Sequence, residues 1–263
     1  DDKEYKIKIK LKGNRLIHWY DKNKTSYKID LRGSERILNM EEFSLQKPIT
    51  KNYTYEYLFH KLLGFVDLIN INYSFINLYF NDQNLGVYAI EESFSKDLLL
   101  RKNKKNGPIF SIKDELGELF PNIFFELYSR DYWLDKDPEL VDQLFLILNQ
   151  IRDKKIHVNE YFDIEKWAKY FAIMDLTGAY HGSLLDSVKM YFNPETQLFE
   201  PIGYDLHKGA GNFDDFILSD ILDSRRKPKC SWICEHKDLY NIFFRLNDET
   251  LNQKFLEKYI YYL

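Results

Sequence analysis

The 263 residues hold only two cysteines, Cys230 and Cys234, too few for a zinc site built on paired C-x2-C motifs. Spaced C-x3-C beside Trp232 and His236, they leave three options open: buried or free thiols, a disulfide, or part of a metal site that would need further ligands. No apolar run approaches the roughly 20 residues that span a bilayer, and no signal peptide is expected at the N-terminus. There is no excess of positive charge: 37 basic against 41 acidic residues give a net charge of −4, so nucleic acid is not an expected partner. The basic runs Arg101–Lys105 and Arg225–Lys227 read as solvated faces. Also missing are the phosphate loop G-x-x-x-x-G-K-[ST], the metalloprotease H-E-x-x-H and the hydrolase elbow G-x-S-x-G, as are internal repeats and low-complexity segments.

What is present excludes a disordered chain, since 44% of the residues are hydrophobic and 17% aromatic. Tyr and Phe, 20 of each, accompany abundant Asn, Ile and Lys. That pattern is one of composition bias, and it does not by itself mark a ligand platform. The length allows one large domain or two lobes sharing a cleft. The chain begins DDKEYKIKIK without Met, and its last helical pattern runs off Leu263, so it is expected to be a piece of a longer protein whose ends do not report localisation.

The first third is β-rich. Alternation of polar and apolar residues predicts strands at Tyr5–Leu11 and Ser26–Leu31, and a hairpin of Phe75–Phe80 and Leu85–Ile90 about the turn Asn81–Asn84. Tyr53–Leu63 has the spacing of a helix lying on a sheet. Beyond Glu92, helices are expected at Phe94–Lys102, Pro138–Arg152, Ile164–Thr177, Tyr240–Phe244 and Leu251–Tyr262, with a short strand at Ile109–Ile112. The expected class is α+β: a mainly antiparallel sheet lobe over residues 1–115, followed by a mainly helical lobe over 116–263.

Residues 174–207, MDLTGAYHGSLLDSVKMYFNPETQLFEPIGYDLH, carry the most chemistry. A helix stops near Gly178, a polar elbow presents His181 and Asp186, and two strands joined at Asn193–Thr196 lead to Gly203-Tyr204-Asp205. A base-bearing loop followed by a strand that delivers an Asp is the order in which protein kinases set out phosphoryl transfer.

Several blocks in order resemble a known family. LKGNRLIHW, K-x-S-Y-K at Lys24–Lys28, F-S-L-Q-K-P at Phe43–Pro48, LGVYAIEE at Leu85–Glu92, G-P-I at Gly107–Ile109 and KMYFNP…LFEPIGYD at Lys189–Asp205 resemble successive segments of the bacterial spore-coat protein H kinase (CotH) family. The resemblance implies a two-lobed atypical protein-kinase-like fold, ATP with Mg2+ or Mn2+ as cofactors, a protein substrate, and a place at the cell envelope or spore surface. It also implies roles for particular residues. Asp205 stands at the family's metal-binding Asp. Asp186 and Ser187 replace the His-Asn common in relatives, which makes Asp186 a candidate second metal ligand. His181 is the candidate that orients or deprotonates the acceptor hydroxyl, and Asp175 is the alternative base. Lys24 and Lys28 are candidates for the triphosphate, with Glu92 as the acid that positions one of them. Lys113 is the cation nearest to Ser111, where the family tends to place a basic residue, and Lys189 is placed to neutralise phosphate or acid charge. Gly209 and Gly211 suit a loop after Asp205. The departures at Ser111 and Asp186-Ser187 leave open a degenerate member that acts as a binding or scaffold protein. A nucleotide-binding member that transfers a different group is a third possibility.

Overall fold

The computed structural model describes residues 3–13, 16–18, 20–21, 24–114, 123–206, 257–258 and 261–262. Cys230, Cys234, Gly209, Gly211, the run Arg225–Lys227 and the helix expected at Tyr240–Phe244 lie outside these residues. The described residues form an α+β fold built on two five-stranded sheets.

The first sheet has the strand order β1-β2-β3-β6-β5, formed by β1 (Ile7–Leu11), β2 (Tyr27–Leu31), β3 (Glu42–Gln46), β5 (Tyr73–Phe80) and β6 (Gln83–Glu92), all antiparallel. The β5–β6 turn is tight because Asn81 and Asp82 both accept a left-handed backbone, with φ of 47° and 64°, as a two-residue hairpin of matching twist requires. Residues paired across strands share a face of the sheet. Lys10, Lys28, Ser44, Glu91 and Tyr73 are therefore aligned on one face. The opposite face buries Ile29, Leu31, Phe43, Leu45, Tyr88 and Ile90 in a core of its own.

The second sheet, β4-β10-β9-β7-β8, joins β4 (Ile69–Asn70), β7 (Ile109–Asp114), β8 (Ile123–Leu127), β9 (Lys189–Asn193) and β10 (Leu198–Gly203). Only the β10–β4 pair is parallel. Residue 115 falls between β7 and β8, two paired strands of this sheet, so the sheet draws strands from both sides of that position. The C-terminal part is thus a sheet with helices rather than a helical body alone.

The helices are α1 (Tyr55–Phe65), α2 (Lys96–Arg101), α3 (Arg130–Lys136), α4 (Pro138–Arg152) and α5 (Ile164–Thr177). α4 and α5 coincide with their expected spans because their ends are written in local chemistry. The Asp137 side chain accepts from the Leu140 amide and Pro138 opens α4. Asp163 accepts from the Lys166 amide, and Gly178, with φ of 65°, closes α5. β3, β8 and α3 are additions, too short to show a period.

The main core lies between the second sheet and the helices. It includes Phe59 and Leu63 of α1, Phe110, Leu144 and Leu148, Trp167 and Phe171 of α5, and Phe199. Burial of each such side chain contributes about 1.5–3 kcal/mol. Trp167 also donates its indole N–H to the Phe199 carbonyl at 2.9 Å, tying α5 to β10. Glu257–Lys258 and Tyr261–Tyr262 are helical, and the Tyr262 hydroxyl donates to Glu165 of α5 at 2.6 Å. Among the described residues, no helix is long and apolar enough to cross a membrane.

Candidate functional site

β10 delivers Asp205. The strand ends at Gly203, where an added Cβ would lie 2.0 Å from Leu63 Cδ1 of α1, so glycine allows helix and strand to close on each other. The chain then turns, with Asp205 itself left-handed at φ of 56°, which Asp tolerates better than most residues. The carboxylate meets the side chains of Lys51, Ser187 and His181. Oδ1 accepts from the buried ammonium of Lys51. Oδ2 accepts from the Ser187 hydroxyl at 3.0 Å and lies 3.1 Å from His181 Nδ1. The Ser187 hydroxyl and His181 Nδ1 are 3.2 Å apart.

Lys51 ends a single 3₁₀ turn, Pro48–Lys51, between β3 and α1, and its ammonium also lies 4.8 Å over the Tyr204 ring. Burial alone would lower its pKa, but Asp205, Tyr204, Glu56 and Glu91 hold it well above the usual lysine value. Glu91, on the polar face of the first sheet, accepts from Lys12 and, at 2.7 Å, from the Gln46 amide. Against burial, which would raise it, Lys12 and Lys51 hold this carboxyl below the usual range. Two lysines and two carboxylates from distant segments thus form one charged cluster between the sheets.

Glu56 and His60 of α1 lie behind it, 3.1 Å apart and both buried. Among the described residues, one oxygen of Glu56 has no hydrogen-bond partner.

Lys189, at the start of β9, is buried and donates to the Asp186 carbonyl at 2.6 Å. Its ammonium lies 5.1 Å over Tyr204. Burial first, then Lys113, bring its pKa down to about 7, opposed by Asp205 and Asp186. Asp186 itself is exposed, and Asp175 is half-buried on the last turn of α5.

An aromatic-walled cavity of about 490 Å³ is bounded by Lys28, Glu42, Phe94, Ile109 and Tyr128, a size within the range of small-molecule pockets. Phe94 packs on Tyr128 and on Tyr204, each with 5.0 Å between centroids. Tyr204 therefore links this cavity to the lysines around Asp205.

Of the residues singled out in the sequence, Asp205, His181 and Lys189 come together, with the backbone of Asp186 beside them. Lys28 is ion-paired with Glu42 at 2.7 Å on the wall of the aromatic cavity. Lys24 lies 5.4 Å over the Tyr88 ring, along a different groove. Lys113 is 3.8 Å from Glu126 on the adjoining strand. Glu92 pairs with Arg101 and accepts from the Asn72 amide at 2.6 Å, so it positions an arginine and a loop rather than a lysine. The acid facing the cluster is its neighbour Glu91, because successive strand residues point to opposite faces. Sequence reasoning missed Lys51, Lys12, Glu91 and Tyr204. Lys12, Glu91 and Tyr204 lie inside the quoted blocks, and Lys51 follows one of them by three residues.

The fit to a divalent cation can be tested on these contacts. Asp205 Oδ1 already faces the buried ammonium of Lys51, so a divalent cation would share that carboxylate with the lysine. Among the described residues, no three His, Cys, Asp or Glu side chains are grouped to hold a metal ion. Mg2+ is commonly held by one or two carboxylates together with substrate phosphates, and here Asp205 and Asp186 would be those carboxylates.

His18 supplies a pH signature. Burial, then Lys12 and Lys51, lower its pKa from 6.5 to about 4, so the folded protein resists its protonation. The unfolded chain binds the proton first as pH falls, so stability is full above about 6.5 and declines between there and about 4. Melting curves across that window should show the decline, and His18→Gln should flatten it. An unchanged slope in the variant would contradict this placement of His18.

Comparison with curated proteins finds no match to the chain. The family model for the CotH kinase protein matches residues 9–261, nearly its whole length and every part of the cluster around Asp205, and the chain belongs to the CotH kinase family.

Proposed function

We propose that the protein transfers the γ-phosphoryl group of ATP to a hydroxyl of a protein side chain, with Mg2+ or Mn2+ at Asp205. The observation that carries this reading is the cluster itself: an Asp at a strand end, backed by Lys51, His181 and Ser187, opposite the Lys12–Glu91 pair. Phosphoryl transfer needs little covalent chemistry from the protein and depends on positioning and electrostatics. The nucleotide base occupies the cavity walled by Phe94 and Tyr128, and the phosphates extend toward Lys51, Lys12 and Lys189. Asp205 and Asp186 would hold the cation, which would supply positive charge against the phosphate oxygens. The acceptor oxygen bonds to the γ-phosphorus as the bond to the β-phosphate oxygen breaks. ADP leaves, and the hydroxyl proton passes to His181, with Asp175 as the alternative acceptor.

A second reading, a member that binds without transferring, is supported by Ser187. Its hydroxyl donates to Asp205 at 3.0 Å at a position where relatives commonly carry the better metal ligand Asn. One titration separates the two. A ligand at about 100 times its Kd stabilises by about 2.7 kcal/mol, so ATP with Mg2+ or Mn2+ should raise Tm by about 5–10 °C for a chain of this size. Absence of any metal-dependent shift would favour the binding-protein reading. Intact mass of an acceptor protein then identifies the chemistry: a gain of about 80 Da marks a phosphate, and another increment marks transfer of a different group.

A further inference from the structure

We propose that His18 is a further phosphate-binding residue, one that takes up a proton as a polyphosphate anion enters the cleft beside Lys12 and Lys51. The inference rests on the reading of that cluster as the phosphate site, and it adds a group that answers the anion's charge.

His18 ends the short 3₁₀ turn Leu16–His18 in the connection from β1 to β2. One serine fastens the backbone on both sides of it. The Lys12 N–H donates to the Ser26 carbonyl at 2.9 Å, and the Ser26 N–H donates to the His18 carbonyl at 2.8 Å. The same serine sets the ring, since His18 Nδ1 lies 3.1 Å from the hydroxyl of the fully buried Ser26. An added Cβ on Gly13 would fall 2.2 Å from the ring carbon Cδ2, so glycine there leaves the imidazole its seat. Thus held, the half-buried ring stands within electrostatic reach of Lys12, Lys51, Glu91 and Asp205. Among the described residues its Nε2 has no hydrogen-bond partner, yet it is not sealed from solvent as the orphaned oxygens of Gln46, Glu56 and Tyr73 are.

Charge balance gives the ring its task. Each lysine of the cluster already faces a carboxylate, Lys12 with Glu91 and Lys51 with Asp205, so the two pairs bring no net charge. A triphosphate carries more negative charge than one divalent cation offsets. In the free protein, burial first and then Lys12 and Lys51 keep the imidazole neutral, against the pull of Glu91 and Asp205, with its pKa lowered to about 4. An anion placed among these lysines reverses the local field, and a nearby opposite charge favours the imidazolium. The Ser26 hydroxyl serves both forms: it donates to Nδ1 of the neutral ring and accepts from Nδ1–H of the charged one. The Nε2–H then donates to a phosphate oxygen in a charge-assisted hydrogen bond, and the proton gained comes from solvent.

The probes are tripolyphosphate, which carries the charge without the nucleoside, and ATP with Mg2+. The ring Cε1–H resonances of the six histidines are followed by NMR, and His18 is the one missing from His18→Gln. That resonance should titrate near pH 4 in the free protein and above about pH 6 with saturating tripolyphosphate, a rise of the size a close opposite charge produces. By linkage, lowering the pH from about 7.5 to about 5.5 should tighten tripolyphosphate binding about 3–10-fold more in the wild type than in His18→Gln. Comparing the two proteins removes the contributions of Lys189 and of the anion's own protonation. His18→Lys, charged throughout, should bind more tightly than His18→Gln with the same shallow pH dependence. Bound tripolyphosphate with His18 still neutral at about pH 5.5 would overturn the proposal and keep the cluster as a phosphate site, as would equal pH dependence in wild type and His18→Gln. Failure of both anions to bind would overturn the phosphoryl-transfer reading and the role of His18 together. Proton uptake at His18 in a protein that transfers no phosphate from ATP would uphold the role of His18 and remove the transfer.

Discussion

Asp205→Asn is expected to lower turnover by at least about 10²–10³-fold, the scale of removing one preorganised electrostatic group from an active site, and to abolish the metal-dependent rise in Tm. The amide keeps one acceptor, for Lys51, and its NH2 can donate to the Ser187 hydroxyl, but it has no charge to hold a divalent cation. Asp205→Ala should lose activity to the same extent and also fold less well. Lys51 is buried, its partner would be gone, and an uncompensated buried charge costs roughly 3–5 kcal/mol. Asp205 is partly open, with its side chain 19% exposed, and Glu91 and Glu56 still act on Lys51, so the lower end, about 3 kcal/mol, is expected. Urea titrations of the two variants beside a phosphotransfer assay separate the effects. Wild-type turnover in Asp205→Asn would remove Asp205 from the reaction.

The second large effect distinguishes two adjacent glutamates. Glu91→Gln removes the acid that holds Lys12 and acts on Lys51, and phosphate affinity and turnover should fall by about 10–100-fold, the equivalent of about 1.4–2.8 kcal/mol. Its pKa is lowered in the folded state, so the stability it contributes is present above the unfolded carboxylate value and lost as pH falls through the folded one. The Gln variant should therefore lose part of the wild type's acid sensitivity. Glu92→Gln should leave nucleotide binding intact while costing about 1–3 kcal/mol of stability, because Arg101 and the Asn72 amide would lose a charged acceptor. If Glu92→Gln impaired binding as much as Glu91→Gln, the polar face of the first sheet would be wrongly assigned as the phosphate face.

These neighbours show where a sequence stops being informative. Alternation marks β6 as a strand, and the resemblance marks LGVYAIEE as a functional block. Which of two consecutive acids faces the cleft depends on register against β3, where Ser44 pairs with Glu91 and Phe43 with Glu92. A one-residue slip exchanges the two faces. Lys24 and Lys28 were candidates because lysines near a strand are candidates for phosphate. The sheet sends one to the outer groove and the other to an ion pair with Glu42.

The elements whose information is local were legible in the residues alone: α4 and α5 through their capping residues, the β5–β6 hairpin through its Asn-Asp turn, and the strand that ends before Asp205. The family was legible for the same reason, since its blocks are contiguous. The partner of Asp205 was not. Lys51 lies 154 residues away on a turn with no period, and only the closing of α1 onto β10 at Gly203 brings its ammonium to the carboxylate. Contacts made across such separations have no signature in spacing, because they are selected by packing between elements and not by the chemistry of neighbouring residues along the chain.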